Sequence, residues 1–226
     1  MNVIFLESGP FAVFKWQALF TDFGWFFQGF KYTFFISLGA MILALFIGLL
    51  FGVILTSDLK FWARIINVYV EFIQNTPLLI QVLFLFNCLP FLGIKLNVTV
   101  IGIVGVGIYH GAYITQVVRN GINSVDKGQF EATYSQGFSY WQSMYHVIFH
   151  QAFKYILPPL TNQMVTLIKN TSVISIISGA DIMFVANSWS GDNLYYGPAY
   201  VFIGILYFLL CFPLNYMLRK VEKSLK

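Results

Sequence analysis

The segment from Tyr32 to Ser57 contains no charged side chain and is almost entirely apolar. A helix needs about 20 consecutive apolar residues to cross the hydrocarbon core of a bilayer. Four further segments are similarly apolar, and they are residues 72–93, 97–118, 155–180, which contains the single charge of Lys169, and 198–218. Charged residues make up only 10% of the chain, whereas about a quarter is typical of soluble domains. These features predict an all-α membrane protein with five transmembrane helices.

The positive charges between these segments predict how the chain is oriented. Lysine and arginine accumulate in the short loops on the cytoplasmic side of a membrane protein. One side holds most of them: Lys60, Arg64, Arg119, Lys127, Lys154, Arg219, Lys220, Lys223 and Lys226. The other side holds Lys15, Lys31 and Lys95. We therefore expect the N-terminus outside, the C-terminus in the cytoplasm, and the loop between the third and fourth crossings facing the cytoplasm.

The segment before the first crossing mixes charges with aromatic residues, as Glu7, Lys15 and Asp22 show. This mixture is typical of a helix that lies in the membrane interface. The predicted organisation is an N-terminal interfacial helix region at 1–28, a transmembrane domain at 29–218 that includes a cytoplasmic loop at 119–154, and a cytoplasmic tail at 219–226.

Two pairs of glycines lie four residues apart within the first and third predicted crossings. They are Gly48 with Gly52, and Gly107 with Gly111. Glycines at this spacing let helix backbones approach each other closely in lipid. We therefore predict that these crossings pack tightly within the chain.

The predicted cytoplasmic loop carries the signals of two short helices. Asp126 followed by Gln129 is typical of a capped helix start, and Ser139 with Gln142 is a second such pair. Gly137 between them can adopt the left-handed conformation that ends a helix. Phe130 and Tyr134 lie four apart and form an aromatic ridge. This ridge either docks on a partner or folds back on the membrane core, and spacing does not decide between the two.

Two blocks of this sequence resemble a known family. YVEFIQNTPLLIQ, from Tyr69 to Gln81, is similar to the pattern YVE-x-x-RGTPLL-x-Q. GAYITQVVRNGINSVDKGQFEATYSQG, from Gly111 to Gly137, is similar to GAY-x-AE-x-x-RGGI-x-SVPKGQ-x-EAA-x-x-LG. Both patterns belong to the permease subunits of ATP-binding-cassette importers for polar amino acids, a family of the bacterial inner membrane. The resemblance extends from Gly29 to about Ser190.

The resemblance implies that the second block forms a coupling helix that docks on a cytoplasmic ATPase. The positions that match this motif and its approach are Gly128, Gln129, Glu131, Ala132 and Gly137. Departures include Thr133 and Gln136, which stand where the family has alanine and leucine. The implied partners are ATPase subunits that hold ATP and Mg²⁺, a second permease chain, identical or similar, and an external substrate-binding protein. No cofactor is expected on this chain.

Polar residues within the predicted crossings suggest a substrate pathway. In the fourth crossing they lie within one narrow arc of a helix, and they are Asn162, Thr166, Lys169 and Asn170. An intramembrane lysine costs about 3 kcal/mol on insertion scales, so it normally faces a cavity or a partner. The alternative is that Lys169 extends to the interface or bonds to neighbouring carbonyls.

In the second crossing, Thr76, Pro77 and Gln81 form a polar segment in which proline interrupts the helix. Such a break leaves carbonyl groups that need other donors. We expect the break and the arc to accept a zwitterion, with its ammonium near the carbonyls and its carboxylate near Lys169. Asn170 stands where relatives often carry aspartate, which argues against a cationic substrate.

Other chemistry finds little support. The chain has no Gly-Lys pair and hence no P-loop, and its basic residues form no patch with interleaved aromatics that would predict nucleic-acid binding. His146 and His150 have a zinc-like spacing, but HVIFH lacks the metalloprotease glutamate. An intramembrane hydrolase that uses His110 with Ser188 or Ser190 remains an alternative function. A hydrogen bond from His110 to a neighbouring helix is the simpler interpretation of this residue. A self-contained carrier or channel is a further alternative.

Overall fold

The computed structural model describes residues 9–224, and within that range every regular element is helical. The helices are α1 (Val13–Thr21), α2 (Phe23–Ile54), α3 (Lys60–Gln74), α4 (Leu78–Asn87), α5 (Val98–Asn123), α6 (Lys127–Ser135), α7 (Tyr140–Ser143), α8 (Phe149–Asn170), α9 (Ile182–Asn193) and α10 (Tyr196–Ser224). Short 3₁₀ turns follow α4 and α8, at Leu89–Leu92 and Thr171–Ile177, and a π-helical turn at Met144–Ile148 joins α7 to α8.

Three helices, α2, α5 and α10, are long and apolar enough to cross a membrane. Two bent pairs have the composition of a crossing when each is taken together. One pair is α3 with α4, bent by 99°, and the other is residues 140–177 with α9, bent by 48°. The described residues thus provide three to five candidate crossings. The all-helical membrane fold is confirmed, and the number of five crossings and their orientation stay predictions.

The helices do not begin and end where the apolar segments do. Helix α2 begins at Phe23 rather than at Tyr32, because Gln28 and Lys31 interrupt the hydropathy without interrupting the backbone hydrogen bonds. The second predicted crossing, 72–93, is not one helix but lies across the bend between α3 and α4. The N-terminal interfacial helix lies partly outside the described residues, and its described part is α1 and the start of α2.

The core of the fold is the contact between α2 and α5. Each of the four glycines of the predicted packing pairs lies against a branched side chain of the opposite helix. The pairs are Gly48 with Ile114, Gly52 with Val118, Gly107 with Leu43, and Gly111 with Ile47. A Cβ atom on Gly48 would lie 2.3 Å from Ile114 Cγ2, closer than any real contact. The prediction of tight packing within the chain is confirmed.

The connection between α8 and α9 lies against the start of α2. Ser178 adopts a left-handed conformation with φ of 59°, and Asp181 then caps α9 by accepting from the backbone N–H groups of Met183 and Phe184 at 3.3 and 3.0 Å. Thr33 Oγ1 of α2 accepts from the Ile182 N–H at 3.0 Å. A Cβ atom on Gly29 would lie 3.3 Å from the carbonyl of Asp181, so the backbones of α2 and this connection are in close contact.

Candidate functional site

Helices α6 and α7 form a helix–turn–helix unit whose boundaries follow from local chemistry. Asp126 caps α6 by accepting from the Gly128 N–H at 2.7 Å, and Gly137 ends it in the left-handed conformation with φ of 81°. Ser139 and Gln142 form the predicted capping box at the start of α7. The predicted helix start at Asp126 is confirmed, but Gln129 does not complete a capping box, because its Oε1 accepts from Gln151 Nε2 of α8 at 2.8 Å.

The unit has one face toward the protein and one face free. Thr133 is buried and Phe130 packs against the core cluster of α2, α5 and α8. Tyr134 keeps 47% of its surface exposed. The residues expected to contact a partner are exposed as well, apart from the partly buried Gln129, and they are Gly128, Glu131, Ala132 and Gly137. Phe130 of the aromatic ridge is therefore folded back on the core, whereas Tyr134 points outward, and docking of the ridge on a partner stays a prediction.

Tyr140 anchors this unit to the end of α2, a role that the sequence analysis did not foresee. Its hydroxyl donates to the Val53 carbonyl at 2.9 Å and lies 2.8 Å from Thr56 Oγ1. Thr56 Oγ1 also donates to the Val53 carbonyl, at 3.0 Å. The last carbonyls of a helix lack the regular helical donor, and the Val53 carbonyl accepts here from the Thr56 backbone N–H at 3.2 Å as well as from the two side-chain hydroxyls. A residue far along the chain supplies one of them, which no local pattern reveals.

The backbone carbonyls at the Pro77 break accept hydrogen bonds from neighbouring side chains. Gln81 Nε2 lies within hydrogen-bond distance of the Ile73 carbonyl at 3.1 Å, the Thr76 carbonyl at 3.3 Å and Thr76 Oγ1 at 2.8 Å. Thr76 Oγ1 in turn donates to the Phe72 carbonyl at 2.8 Å. The carbonyl groups that proline leaves without a helical donor are thus served by side chains. Thr76 and Gln81 also line an otherwise apolar cleft of about 340 Å³ between α3, α4 and α5.

The predicted polar arc of α8 divides into an outward part and an inward part. Asn162 and Lys169 are exposed, and Thr166 Oγ1 donates to the Asn162 carbonyl at 2.8 Å. Asn170 is turned toward α5, where its Nδ2 lies 3.0 Å from His110 Nε2. The hydrogen bonds of Thr76 and Gln81 stay within the α3–α4 break. The assignment of the arc and the break to one pathway stays a prediction.

His110 is a buried link between α5 and α8. Its Nε2 accepts from the Asn170 amide, so its proton lies on Nδ1 and points to Gln163 Oε1 at 3.3 Å. This confirms the simpler interpretation of His110. The hydrolase alternative lacks a serine paired with this histidine among the described residues, because both ring nitrogens contact amide side chains of α8. Ser190 is buried and donates to the Asn187 carbonyl, and Ser188 lines a separate cleft with Trp25.

The zinc-like histidine spacing corresponds to no metal site in the part of the chain that the structure describes. His146 packs edge-on against Tyr145, with ring centroids 5.0 Å apart, and against Phe138 at 6.0 Å. Across residues 9–224, no three or more histidine, cysteine, aspartate or glutamate side chains are grouped as a metal ion requires.

Comparisons with known proteins agree with this arrangement. The sequence profile of the family described as "Binding-protein-dependent transport system inner membrane component" matches residues 44–226. The chain is 37% identical over 212 residues to the probable glutamine ABC transporter permease protein GlnM of Bacillus subtilis (strain 168), covering 92% of this chain and 98% of the relative. It is 32% identical over 198 residues to the probable glutamine ABC transporter permease protein GlnP of the same organism, covering 86% and 91%.

Among solved structures, the fold is similar to that of a chain in the crystal structure of an amino acid ABC transporter with histidines. The TM-score is 0.84 at 28% sequence identity, and the match covers 92% of this chain and 98% of the other. Sequence and fold thus agree over nearly the whole length. The chain belongs to the binding-protein-dependent transport system inner membrane component family.

Proposed function

We propose that this chain is the permease subunit of an ATP-driven importer that moves a polar amino acid across the bacterial inner membrane. The observation that carries the proposal is the α6–α7 unit, which offers an exposed face with Glu131 and Tyr134 while Phe130 and Tyr140 tie its other face to the membrane helices. A unit attached in this way can transmit a displacement from a partner bound at its exposed face to the membrane helices.

The proposed assembly adds subunits that hydrolyse ATP, deliver the substrate and complete the pathway. Cytoplasmic ATPase subunits, which hold ATP and Mg²⁺, dock on the exposed residues of α6, and an external binding protein delivers the substrate. A second permease chain, identical or similar, completes the pathway. In this arrangement the chain crosses the membrane five times, with the N-terminus outside and the α6–α7 unit and C-terminal tail in the cytoplasm.

The proposed pathway runs between the proline break and the polar arc of α8. Lys169 is the cation for the substrate carboxylate, and the neutral side chain at Asn170 disfavours a cationic amino acid. Two of the most similar relatives carry glutamine in their names, so glutamine is the first substrate to test.

Reconstitution tests the proposal directly. The chain is purified with the ATPase that copurifies with it, placed in proteoliposomes together with the external binding protein, and supplied with labelled glutamine and other amino acids. We expect uptake that needs ATP and stops when the P-loop lysine of the ATPase is replaced. Uptake at full rate by this chain alone, without nucleotide, would refute the proposal.

A matched pair of glycine variants tests the role of the α6–α7 turn. Gly137 and Gly93 both have a left-handed backbone, with φ of 81° and 80°, and at neither would a Cβ meet an atom within 4 Å. Valine at either position costs about 1–3 kcal/mol of backbone strain. We expect Gly137→Val to lose ATPase copurification and uptake, and Gly93→Val to keep both. Equal effects would show that the turn has no special role.

A further inference from the structure

Helix α2 is hydrogen-bonded near its C-terminal end to the α6–α7 unit and toward its N-terminal end to the connection between α8 and α9. At the C-terminal end, the Tyr140 and Thr56 hydroxyls both donate hydrogen bonds to the Val53 carbonyl. Toward the N-terminal end, Thr33 Oγ1 accepts from Ile182 N at the connection between α8 and α9. Thr33 and Val53 are about 30 Å apart along a helix that rises 1.5 Å per residue, which is about the thickness of the hydrocarbon core.

The contact at Thr33 is buried, and the contacts at Val53 are half-buried. Thr33 has no exposed surface, and Ile36 of α2 packs with Ile174 and Ile177 of the 3₁₀ turn that precedes the connection. At the other end, Val53 packs against the same cluster as Tyr140. A displacement of the α6–α7 unit therefore acts on α2 through hydrogen bonds, not through loose side-chain contact.

The covalent route from the same unit into α8 is less rigid. Residues Met144–Ile148 form a π-helical turn between α7 and α8, and such turns interrupt the regular ladder of helical hydrogen bonds. One side-chain bond, from Gln151 to Gln129, links α6 to α8 directly. By contrast, α2 continues as one helix from Phe23 to Ile54.

We infer that α2 acts as a rigid rod that transmits the displacement produced by the ATPase across the membrane. Tyr140 and Thr56 pass this displacement to the C-terminal end of α2, and Thr33 passes it from α2 to the α8–α9 connection. This inference rests on the proposed function. Tyr140, Thr56 and Thr33 are positioning residues in this scheme, because they act through the backbone of other residues and not on the substrate.

The test measures the amount of substrate moved per ATP hydrolysed by the assembled complex in proteoliposomes. Tyr140→Phe removes one hydroxyl, and Thr33→Val removes the acceptor for Ile182 at nearly unchanged volume. We expect each to lower substrate moved per ATP by about fivefold, the effect of one ordinary hydrogen bond on an equilibrium. Thr33→Ser keeps the acceptor and should restore the wild-type ratio. Thermal unfolding of each complex separates lost coupling from lost folding.

Two comparisons decide the route. If Tyr140 and Thr33 act on one rod, the double variant should uncouple transport no more than the more severe single variant does. Gln151→Leu breaks the link to α8, and uncoupling by it but not by Tyr140→Phe would overturn the inference. An unchanged ratio in both Tyr140→Phe and Thr33→Val would also overturn it. Absence of ATP-dependent uptake by the wild-type complex would refute the proposed function itself, a separate result.

Discussion

Replacing Gly48 by alanine should separate α2 from α5 and destabilise the protein. The new Cβ would lie 2.3 Å from Ile114 Cγ2, 2.5 Å from Ile114 Cβ and 3.1 Å from the Ile114 carbonyl carbon, whereas ordinary contacts begin at 3.4 Å. Rotation of the Ile114 side chain does not relieve this overlap, because its Cβ and backbone are fixed. The two helices must therefore move apart by about 1 Å, a gap that forfeits a quarter to a half of the attraction between facing atoms.

The expected cost follows from these distances. Overpacking in a well-packed core costs about 1–3 kcal/mol, and the upper part of that range applies because the overlap involves backbone. Alanine recovers at most about 1 kcal/mol in helix propensity. We expect a net loss of about 2 kcal/mol, which lowers the melting temperature by roughly 4–8 °C for a chain of this size. Thermal unfolding of the detergent-solubilised protein, followed by size-exclusion chromatography, measures this shift.

Two further variants make the measurement specific. Gly204 lies within α10 where a Cβ would meet no atom within 4 Å, so Gly204→Ala should leave the melting temperature unchanged or slightly raised. Ile114→Gly removes the opposing Cβ and Cγ2 atoms, so the double variant with Gly48→Ala should lose less stability than the sum of the two single losses. Strict additivity, or an unchanged melting temperature in Gly48→Ala, would refute the packing argument.

Two shorter predictions concern the proposed pathway. Gln81→Leu leaves the Ile73 and Thr76 carbonyls at the proline break without the donor that Gln81 supplies. This change should reduce the free energy of unfolding by about 1–3 kcal/mol. Full stability with lost uptake would instead assign Gln81 to substrate binding. Lys169→Met removes the exposed ammonium group of Lys169 at similar side-chain length, and it should lower uptake at least tenfold while the ATPase subunits still copurify. Intact uptake with intact substrate preference would exclude Lys169 as the carboxylate partner.

The features that were predictable from the sequence are those that depend on neighbouring residues. The apolar segment at Tyr32–Ser57 had to become a helix, since a backbone in lipid satisfies its polar groups only internally. Gly137 and the Ser139–Gln142 box are local in the same sense, because their hydrogen bonds reach no further than one helical turn. The glycine spacing in α2 predicted close packing without naming the partner helix.

The features that escaped prediction join residues far apart in the chain. Tyr140 meets Val53 across 87 positions, and the helix contact predicted for His110 proves to have as its partner Asn170, which lies 60 positions away. Gln129 had the spacing for a capping box at the start of α6, but its side-chain oxygen instead accepts from Gln151, a half-buried donor on α8. Gln81 was recognised as polar surface, yet its hydrogen bonds to the proline break depend on how sharply α4 turns from α3. Sequence spacing shows which hydrogen-bonding groups are available, and the tertiary structure decides which donor pairs with which acceptor.

The outward part of the α8 arc is consistent with the proposal that one chain forms only part of a pathway. Lys169 and Asn162 are exposed on α8, the helix that follows the α6–α7 unit in the chain. A lysine facing lipid at mid-depth costs about 3 kcal/mol on insertion scales, and a second permease chain or a water-filled path removes that cost by surrounding the charge. The inward part is already satisfied, since Asn170 bonds to His110. A polar surface satisfied on one side and open on the other is what half of a shared pathway requires.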